Sequence, residues 1–279
     1  MTAGIRDIGK FGVWRYYRGF EPGQARELEE LGYSTLWLGG SPPAELPEVE
    51  RLLSETDTLT VGTSIVNIWS APAARVAESF HRIDQKYPGR FILGYGVGHP
   101  EHDTDFRKPY EALVEYADVL DANDVPKRQL ALAALGPRVL KLSAERSAGA
   151  LPYLVTPEHT RQAREIVGED ALLVPEHKIA FNTDPAEARR TARPRTEFYL
   201  NLRNYVSNLR RLGFTDDDVT PPGSDALIDA LAYHGTTEQI ADALVEHLRA
   251  GGDQVAIQVT DKDEAAVLRA LAPALHARV

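Results

Sequence analysis

Glycine, histidine and acidic residues concentrate in one short stretch, residues 90–105, directly after a run of strand-forming residues. Three glycines alternate there, and two histidines and three acids follow them: Gly94, Gly96, Gly98, His99, Glu101, His102, Asp103 and Asp105. Residues of these types can form a phosphate-binding nucleotide loop or a metal site. They can also form a strand against which a flat ligand or a neighbouring backbone lies closely.

The nucleotide-loop interpretation fails on spacing. A dinucleotide-binding loop has the pattern G-x-G-x-x-G between a strand and a helix. His99 occupies the position where the third glycine would stand. The alternating glycines therefore indicate close approach of a ligand ring or of another backbone, and the sequence leaves both open.

A metal site is the least favoured interpretation. Imidazole and carboxylate groups such as those of His99, His102, Asp103 and Asp105 do bind zinc or iron. The helical HExxH pattern is missing, however, and three of these four residues follow Pro100 in a predicted loop. We expect no metal, and a metal-dependent barrel hydrolase built on His99, His102 and Asp105 remains a minor alternative.

Two other segments predict anion sites. A strand ends at Gly136-Pro137 and a helix begins at once, so backbone amides of the first turn point toward whatever lies in front of it. Thr156 precedes Pro157 at a second helix start and adds a hydroxyl group. Plain helix starts would explain both segments equally well.

Composition limits the function classes. The chain has 279 residues, no cysteine and a net charge of −10. Disulfides and thiolate metal sites are excluded, and the acidic charge disfavours nucleic acid and anionic membranes as partners. There is no apolar run of membrane-spanning length and no signal-peptide core at the N-terminus, so we expect a cytoplasmic enzyme that acts on a small molecule.

Apolar runs alternate with amphipathic segments along the whole chain. The predicted strands are 10–14, 33–40, 59–69, 89–98, 128–136, 148–155, 171–182 and 253–259. The predicted helices are 22–32, 44–56, 72–87, about 107–123, 137–146, 157–168, one long helix over about 184–212, two helices that flank a break at 233–239, and a closing helix.

Eight buried strands, each followed by a helix, predict a (β/α)₈ TIM barrel that forms one domain over residues 1–279. A doubly wound sheet shares the alternation and is the main rival. In a barrel the chemistry lies at the carboxyl ends of the strands. The segments nominated in this way are 14–17, 39–41, 64–69, 96–103, 135–137, 154–156, 178–182 and 258–260.

Three stretches together resemble the luciferase-like monooxygenase superfamily, most closely its F420-dependent oxidoreductases of actinobacterial type. They are "VGTSIVNIW" (61–69), "YPGRFILGYGVGH" (87–99) and "ALGPRVLKLSAERSAGALPYLV" (134–155). The resemblance extends over almost the whole chain and implies the same barrel. It also implies coenzyme F420 as the cofactor, with FMN as the alternative, and a homodimer.

The resemblance implies roles for individual residues. A non-proline cis peptide at Ser64–Ile65 would support the central ring of the cofactor, and Asn67 would contact the edge of that ring. The other cofactor contacts that it implies are Gly96, Val97, Gly98 and His99 along the ring and ribityl chain, Leu135, Gly136 and Pro137 at the phosphate turn, and Val155 and Thr156 at a second phosphate contact.

The chain departs from the F420-dependent sugar-phosphate dehydrogenases of this family at two places. Those enzymes have an Asp-His pair where this chain has Gly40-Ser41, and a catalytic Glu where it has His99. Their reaction is therefore not expected here. His99 becomes the predicted catalytic residue, because an unperturbed imidazole with a pKa of about 6.5 exchanges protons near neutrality.

The predicted substrate pocket consists of Trp14, Ser41 and Trp69, with core packing as the alternative role of the tryptophans. Arg138 and Lys141 would lie near the acidic tail of F420. The sequence thus predicts an F420-dependent oxidoreductase that transfers hydride between C5 of the deazaflavin and a small organic substrate. An FMN-dependent two-component monooxygenase and a non-catalytic flavin-binding barrel are the alternatives.

Overall fold

The computed structural model of the chain describes residues 8–99 and 108–279. Its strands are β1 (Phe11–Tyr16), β2 (Thr35–Gly39), β3 (Thr60–Thr63), β4 (Val66–Asn67), β5 (Phe91–Gly96), β6 (Leu130–Leu132), β7 (Gly149–Ala150), β8 (Leu172–Leu173), β9 (Glu176–Ala180), β10 (Ala232–His234) and β11 (Val255–Val259).

The helices are α1 (Gln24–Glu30), α2 (Pro47–Ser54), α3 (Ala73–Lys86), α4 (Pro109–Ala122), α5 (Pro137–Arg146), α6 (Pro157–Val167), α7 (Pro185–Leu200), α8 (Arg203–Arg211), α9 (Asp216–Val219), α10 (Asp225–Leu231), α11 (Thr237–Arg249) and α12 (Glu264–His276). Among the described residues, no helix combines the length and the apolar character that crossing a bilayer would need.

The strands form a closed parallel ring, which excludes the doubly wound sheet. From β1 the hydrogen-bonded order runs through β2, β3, β5, β6 and β7 to β8. The chain then continues through Pro175 into β9, which pairs with β11, and β11 pairs with β1. The amide of Ala256 donates to the carbonyl of Pro175 at 2.9 Å, so the ring is also bonded across this short break. The predicted TIM barrel is confirmed.

Two predictions of secondary structure between β9 and β11 are wrong. The long helix over 184–212 is two helices, because Asn201 caps α7 and Leu202 turns inward, only 1% exposed, before α8 begins. The break at 233–239 contains β10, which pairs with β9 outside the ring. Such a short strand gives no periodic signal, and only its pairing partner in the folded chain defines it.

The barrel wall separates two apolar layers. The outer layer lies between strands and helices and contains most of the buried aliphatic side chains. The inner layer fills the barrel with a separate set of side chains: Ile8, Trp14, Trp37, Ile92, Ala131, Leu151, Leu172, Val174 and Ala256. Side chains fill the interior of the barrel, so it forms no channel. We therefore expect ligands to bind at the carboxyl ends of the strands, where the active sites of TIM barrels lie.

Candidate functional site

The third barrel strand is interrupted at its carboxyl end. Its Ser64–Ile65 peptide bond is cis, as the family resemblance predicted. The strand resumes as β4, which pairs with β5 in the register Asn67 to Gly96. Residues predicted to contact a cofactor ring from two different strands therefore lie side by side at the barrel mouth, and Ser64 and Ile65 are partly exposed there.

Packing accounts for two of the three alternating glycines. A Cβ added at Gly94 would lie 1.9 Å from the carbonyl oxygen of Thr63, and one added at Gly96 would lie 2.8 Å from the Cβ of Ala133. The close approach that the sequence left open is thus made by neighbouring protein atoms at both positions. Gly98 has a φ of +60°, which a glycine adopts readily at the turn that leaves the strand.

Both tryptophans of the predicted substrate pocket donate hydrogen bonds to backbone carbonyls. Trp14 is only 4% exposed, and its Nε1–H donates to the Ser64 carbonyl at 3.3 Å. Trp69 is partly exposed, and its Nε1–H donates to the Val97 carbonyl at 2.7 Å. Ser41 is exposed. Their contact with a substrate stays a prediction.

His99 lies against aromatic side chains at the same end of the barrel. Its ring centroid is 5.5 Å from that of Tyr205 and 6.5 Å from that of Tyr199. The other proposed metal ligands, His102, Asp103 and Asp105, lie outside the described residues. Within 8–99 and 108–279 no three metal-ligating side chains come together.

The two predicted phosphate turns are linked to buried imidazoles. Gly136 is the N-cap of α5, and Thr156 is the N-cap of α6, where its Oγ1 accepts from the amide of His159. The Nε2 atom of His159 lies 2.9 Å from the Leu135 carbonyl oxygen, so this nitrogen carries the proton and donates. Burial lowers the pKa of His159, so a neutral imidazole holds the first turn in place.

A second imidazole pair supports the other turn. His177 Nδ1 lies 3.2 Å from the carbonyl oxygen of Val155 and 3.0 Å from Nε2 of His247. His247 Nδ1 in turn lies 2.8 Å from the hydroxyl of Thr160. Burial lowers the pKa of His247 to about 3 and that of His177 well below its usual value, so both rings are neutral.

A buried charge pair lies inside the barrel just below the mouth. The ammonium group of Lys178 is 3.0 Å from a carboxylate oxygen of Glu176, and both side chains are almost fully enclosed. The second carboxylate oxygen of Glu176 accepts from the amide of Leu154 at 2.9 Å. Burial raises the pKa of Glu176 and lowers that of Lys178, while the attraction between the two groups opposes both shifts.

Two tyrosines join this pair to the mouth. Lys178 Nζ lies 4.1 Å from the ring centroid of Tyr153. Tyr199 donates to the Tyr153 hydroxyl at 3.1 Å, and Tyr153 donates to Gln258 at 2.7 Å. Burial raises the pKa of both phenols, which keeps them protonated as hydrogen-bond donors.

Sequence reasoning nominated part of this network without recognising it. Lys178 and Gln258 each begin one of the strand-end segments proposed for the site, and the residue types alone could have drawn attention to a lysine in an apolar strand. Tyr199 gave no usable signal, because it reaches the mouth only through the way α7 folds back over the barrel.

Comparisons with known proteins agree with the barrel fold. The family model described as luciferase-like monooxygenase matches residues 19–123. An F420-dependent secondary alcohol dehydrogenase solved with an F420-acetone adduct has a TM-score of 0.75 at 13% identity, over 95% of this chain and 98% of its own. The F420-dependent tetrahydromethanopterin reductase of Methanopyrus kandleri has a TM-score of 0.72 at 14% identity, over 96% and 98%.

An FMN protein is similar too. The oxygenating constituent of 3,6-diketocamphane monooxygenase from Pseudomonas putida, solved with FMN, has a TM-score of 0.64 at 13% identity, over 97% of this chain and 99% of its own. A search of curated proteins found no match to the sequence.

The predicted resemblance to luciferase-like monooxygenases is confirmed.

Arg138 and Lys141, the two cations predicted to lie near the acidic tail of F420, both have acidic neighbours. Arg138 lies over the ring of Tyr110, 3.5 Å from its centroid, and is 3.9 Å from Glu111. Lys141 is 4.0 Å from Glu145 on the same helix. Both cations thus have carboxylate neighbours, and their contact with an acidic cofactor tail stays a prediction.

Proposed function

We propose that this protein is an oxidoreductase that binds coenzyme F420 and transfers hydride between the deazaflavin C5 and a carbon atom of a small organic substrate. The family match and the F420-dependent enzymes among its structural neighbours support this proposal. When bound, the deazaflavin supplies the redox chemistry, while the barrel supplies binding, orientation and protection from water.

One observation carries the proposal. Asn67 of β4 pairs with Gly96 of β5, and Ser64 and Ile65 directly precede β4, which supports the ring contact that the resemblance implies for these four residues. Trp14 anchors the backbone of that surface from within the barrel. A surface formed by neighbouring strand backbones suits a planar ring system.

The residues at the phosphate turns also fit a cofactor with a phosphate group. The N-cap of α5 is a glycine, so no side chain accepts hydrogen bonds from its first turn, and the helix dipole favours an anion there. Leu135, Gly136 and Pro137 would form the first contact with the phosphate group of the cofactor. Val155 and Thr156 would form the second contact.

The chain's own side chains then provide a largely dry reaction face. Tyr153 and Tyr199 line it with protonated hydroxyls, and the Glu176–Lys178 pair lies beneath them. His99 is the predicted proton donor or acceptor for the substrate. We expect His99→Gln to reduce turnover by about 10²- to 10⁴-fold while F420 affinity stays within a few-fold. Equal turnover of the variant and the unmodified enzyme would remove His99 from this role.

Titration of the protein with F420, FMN and NADPH, followed by fluorescence quenching, tests the cofactor assignment. We expect F420 to bind at micromolar concentration and NADPH not to bind. Binding of FMN without F420 would contradict the proposal and would support the alternative, an FMN-dependent two-component monooxygenase, which the FMN-containing neighbour favours. Homodimerisation and a cytoplasmic location remain predictions.

A further inference from the structure

Arg211, at the last position of α8, reaches across the mouth to the first phosphate turn. Its Nη2 atom lies 3.9 Å from where a Cβ would stand on Gly136, and no other described atom outside the residues adjacent to Gly136 lies within 4 Å of that point. Leu135 packs against the apolar cluster that contains Tyr205 and Leu209, which holds α8 against the turn.

Arg211 and the adjacent Arg210 differ in their charge partners. Within the part of the chain that the structure describes, Arg211 forms no ion pair. Its neighbour Arg210 is bonded to Asp216, 2.7 Å away. The two residues are adjacent and chemically identical, so their different environments point to different roles.

Asn208 provides a second, independent observation. Its side chain is 2% exposed, and its Oδ1 accepts from Arg211 Nη2 at 2.9 Å. The Nδ2 of the same amide is buried and has no hydrogen-bond partner among the residues that the structure describes. A buried donor without an acceptor is rare in folded proteins, and here it lies beside an arginine that has no carboxylate partner within 8–99 and 108–279.

These groups together form half of an anion site. Arg211 Nη2 and the start of α5 are donors that both lie at Gly136, and the buried amide of Asn208 is bonded to the same guanidinium group. Phosphate oxygens match this donor set, because guanidinium binds phosphate with charge-assisted hydrogen bonds and helix starts favour anions.

We propose that Arg211, oriented by Asn208, binds the phosphate group of the cofactor from the side opposite α5. This inference rests on the proposed function and adds residues from the segment between β9 and β11 to the cofactor site. The phosphate is a monoester in FMN and a diester in F420, and both present the oxygens that these donors require.

The test compares ligands with and without phosphate. Dissociation constants of FMN against riboflavin, and of F420 against its phosphate-free deazaflavin alcohol, are measured by fluorescence quenching. The proteins are the unmodified chain, Arg211→Met and Arg210→Met. The matched control removes the same charge one residue away on the same helix, and thermal melting checks the fold of each variant.

We expect Arg211→Met to weaken binding of the phosphate-bearing ligand about 10- to 100-fold, and to change binding of its phosphate-free partner less than 2-fold. Arg210→Met should change both less than 2-fold. Asn208→Asp should act like Arg211→Met, because it gives Arg211 a carboxylate partner. Equal losses for both ligands, or no loss for either, would overturn the proposal.

Failure of the proposed function gives a different result. If the unmodified protein binds neither flavin nor deazaflavin, the cofactor assignment fails. Calorimetric titration with inorganic phosphate then decides the inference separately. Phosphate binding that Arg211→Met abolishes and Arg210→Met preserves would retain the anion site, and absence of phosphate binding would remove it.

Discussion

At the scale of single residues, the Glu176–Lys178 pair is the most unusual feature of the barrel. A lysine that is wholly enclosed must be paired, since an isolated buried charge is strongly unfavourable. Glu176 provides that partner, and the Leu154 amide satisfies its second oxygen. The tyrosine rings above Lys178 add a weaker cation–π attraction, which links the charge pair to the hydroxyls at the mouth.

Removal of one member of this pair should destabilise the protein severely. We expect Lys178→Met to reduce the free energy of unfolding by about 3–5 kcal/mol, because Glu176 is left buried without its counter-ion. The double variant Glu176→Gln/Lys178→Met should recover most of that loss, since no charge remains. Urea unfolding of the three proteins measures both effects. A double variant no more stable than Lys178→Met would show that packing, and not charge, dominates.

The same substitution to alanine should have different effects on stability at two glycines. Gly94→Ala places a Cβ 1.9 Å from the Thr63 carbonyl oxygen, so the third and fourth barrel strands must separate. We expect a loss of more than about 2 kcal/mol, as for other overpacked core positions. Gly136→Ala meets no atom closer than 3.9 Å and has an ordinary φ of −86°, so its melting temperature should stay within about 2 °C. Similar melting temperatures for the two variants would contradict this account.

At the scale of elements, the buried histidines connect α6, β9 and α11 behind the second phosphate turn. His177 contacts the Val155 carbonyl, His247 contacts His177, and the Thr160 hydroxyl contacts His247. These three side chains form a continuous row of polar contacts. The stacked ring of Tyr233, 3.7 Å from that of His177, closes the row from β10. Neutral rings suit this environment, because each proton added would introduce a charge with no acidic partner in the row.

This row predicts how stability depends on pH. His247 has its pKa lowered from 6.5 to about 3 in the folded protein, so between these values the unfolded chain binds the additional proton. Unfolding free energy should therefore fall as pH decreases below about 6.5, with a slope of up to about 1.4 kcal/mol per pH unit for each such histidine.

Urea unfolding at several pH values from 7.5 to 5.0 measures this slope. His247→Gln should flatten it, because the side chain that takes up the proton on unfolding is gone. An unchanged slope in the variant would show that His247 does not contribute to the pH dependence.

The elements also show what sequence reasoning could and could not reach. The apolar runs and helix starts identified all eight barrel strands, and the family resemblance implied the cis peptide at Ser64–Ile65. Arg211 and Tyr199 were missed, because their positions depend on how α7 and α8 fold back over the mouth. Local periodicity describes a helix but not the partner against which it packs.

At the scale of the whole molecule, the closed ring makes the mouth a composite of distant segments. Trp14, Tyr153 and Gln258 come from the beginning, the middle and the end of the sequence, yet Tyr153 contacts the ring of Trp14 and donates to Gln258. A ligand that binds there contacts strands from all parts of the barrel. Its binding energy therefore stabilises the fold as a unit against global unfolding.

Thermal unfolding should consequently report which cofactor the protein binds. A ligand present at about 100 times its dissociation constant adds about 2.7 kcal/mol to the free energy of unfolding, provided that the unfolded chain does not bind it. For a chain of this size the melting temperature should rise by about 5 °C. We expect this increase with F420 and none with NADPH, which serves as the control for an unrelated nucleotide.

The phosphate-free deazaflavin alcohol provides the matched ligand in the same measurement. At equal concentration it should raise the melting temperature by less than F420 does, because it occupies the ring surface but leaves the donors at Gly136 and Arg211 unsatisfied. An increase with FMN alone would reassign the cofactor. Equal increases with F420 and its phosphate-free alcohol would show that the ring surface carries the binding and that the phosphate turns contribute little.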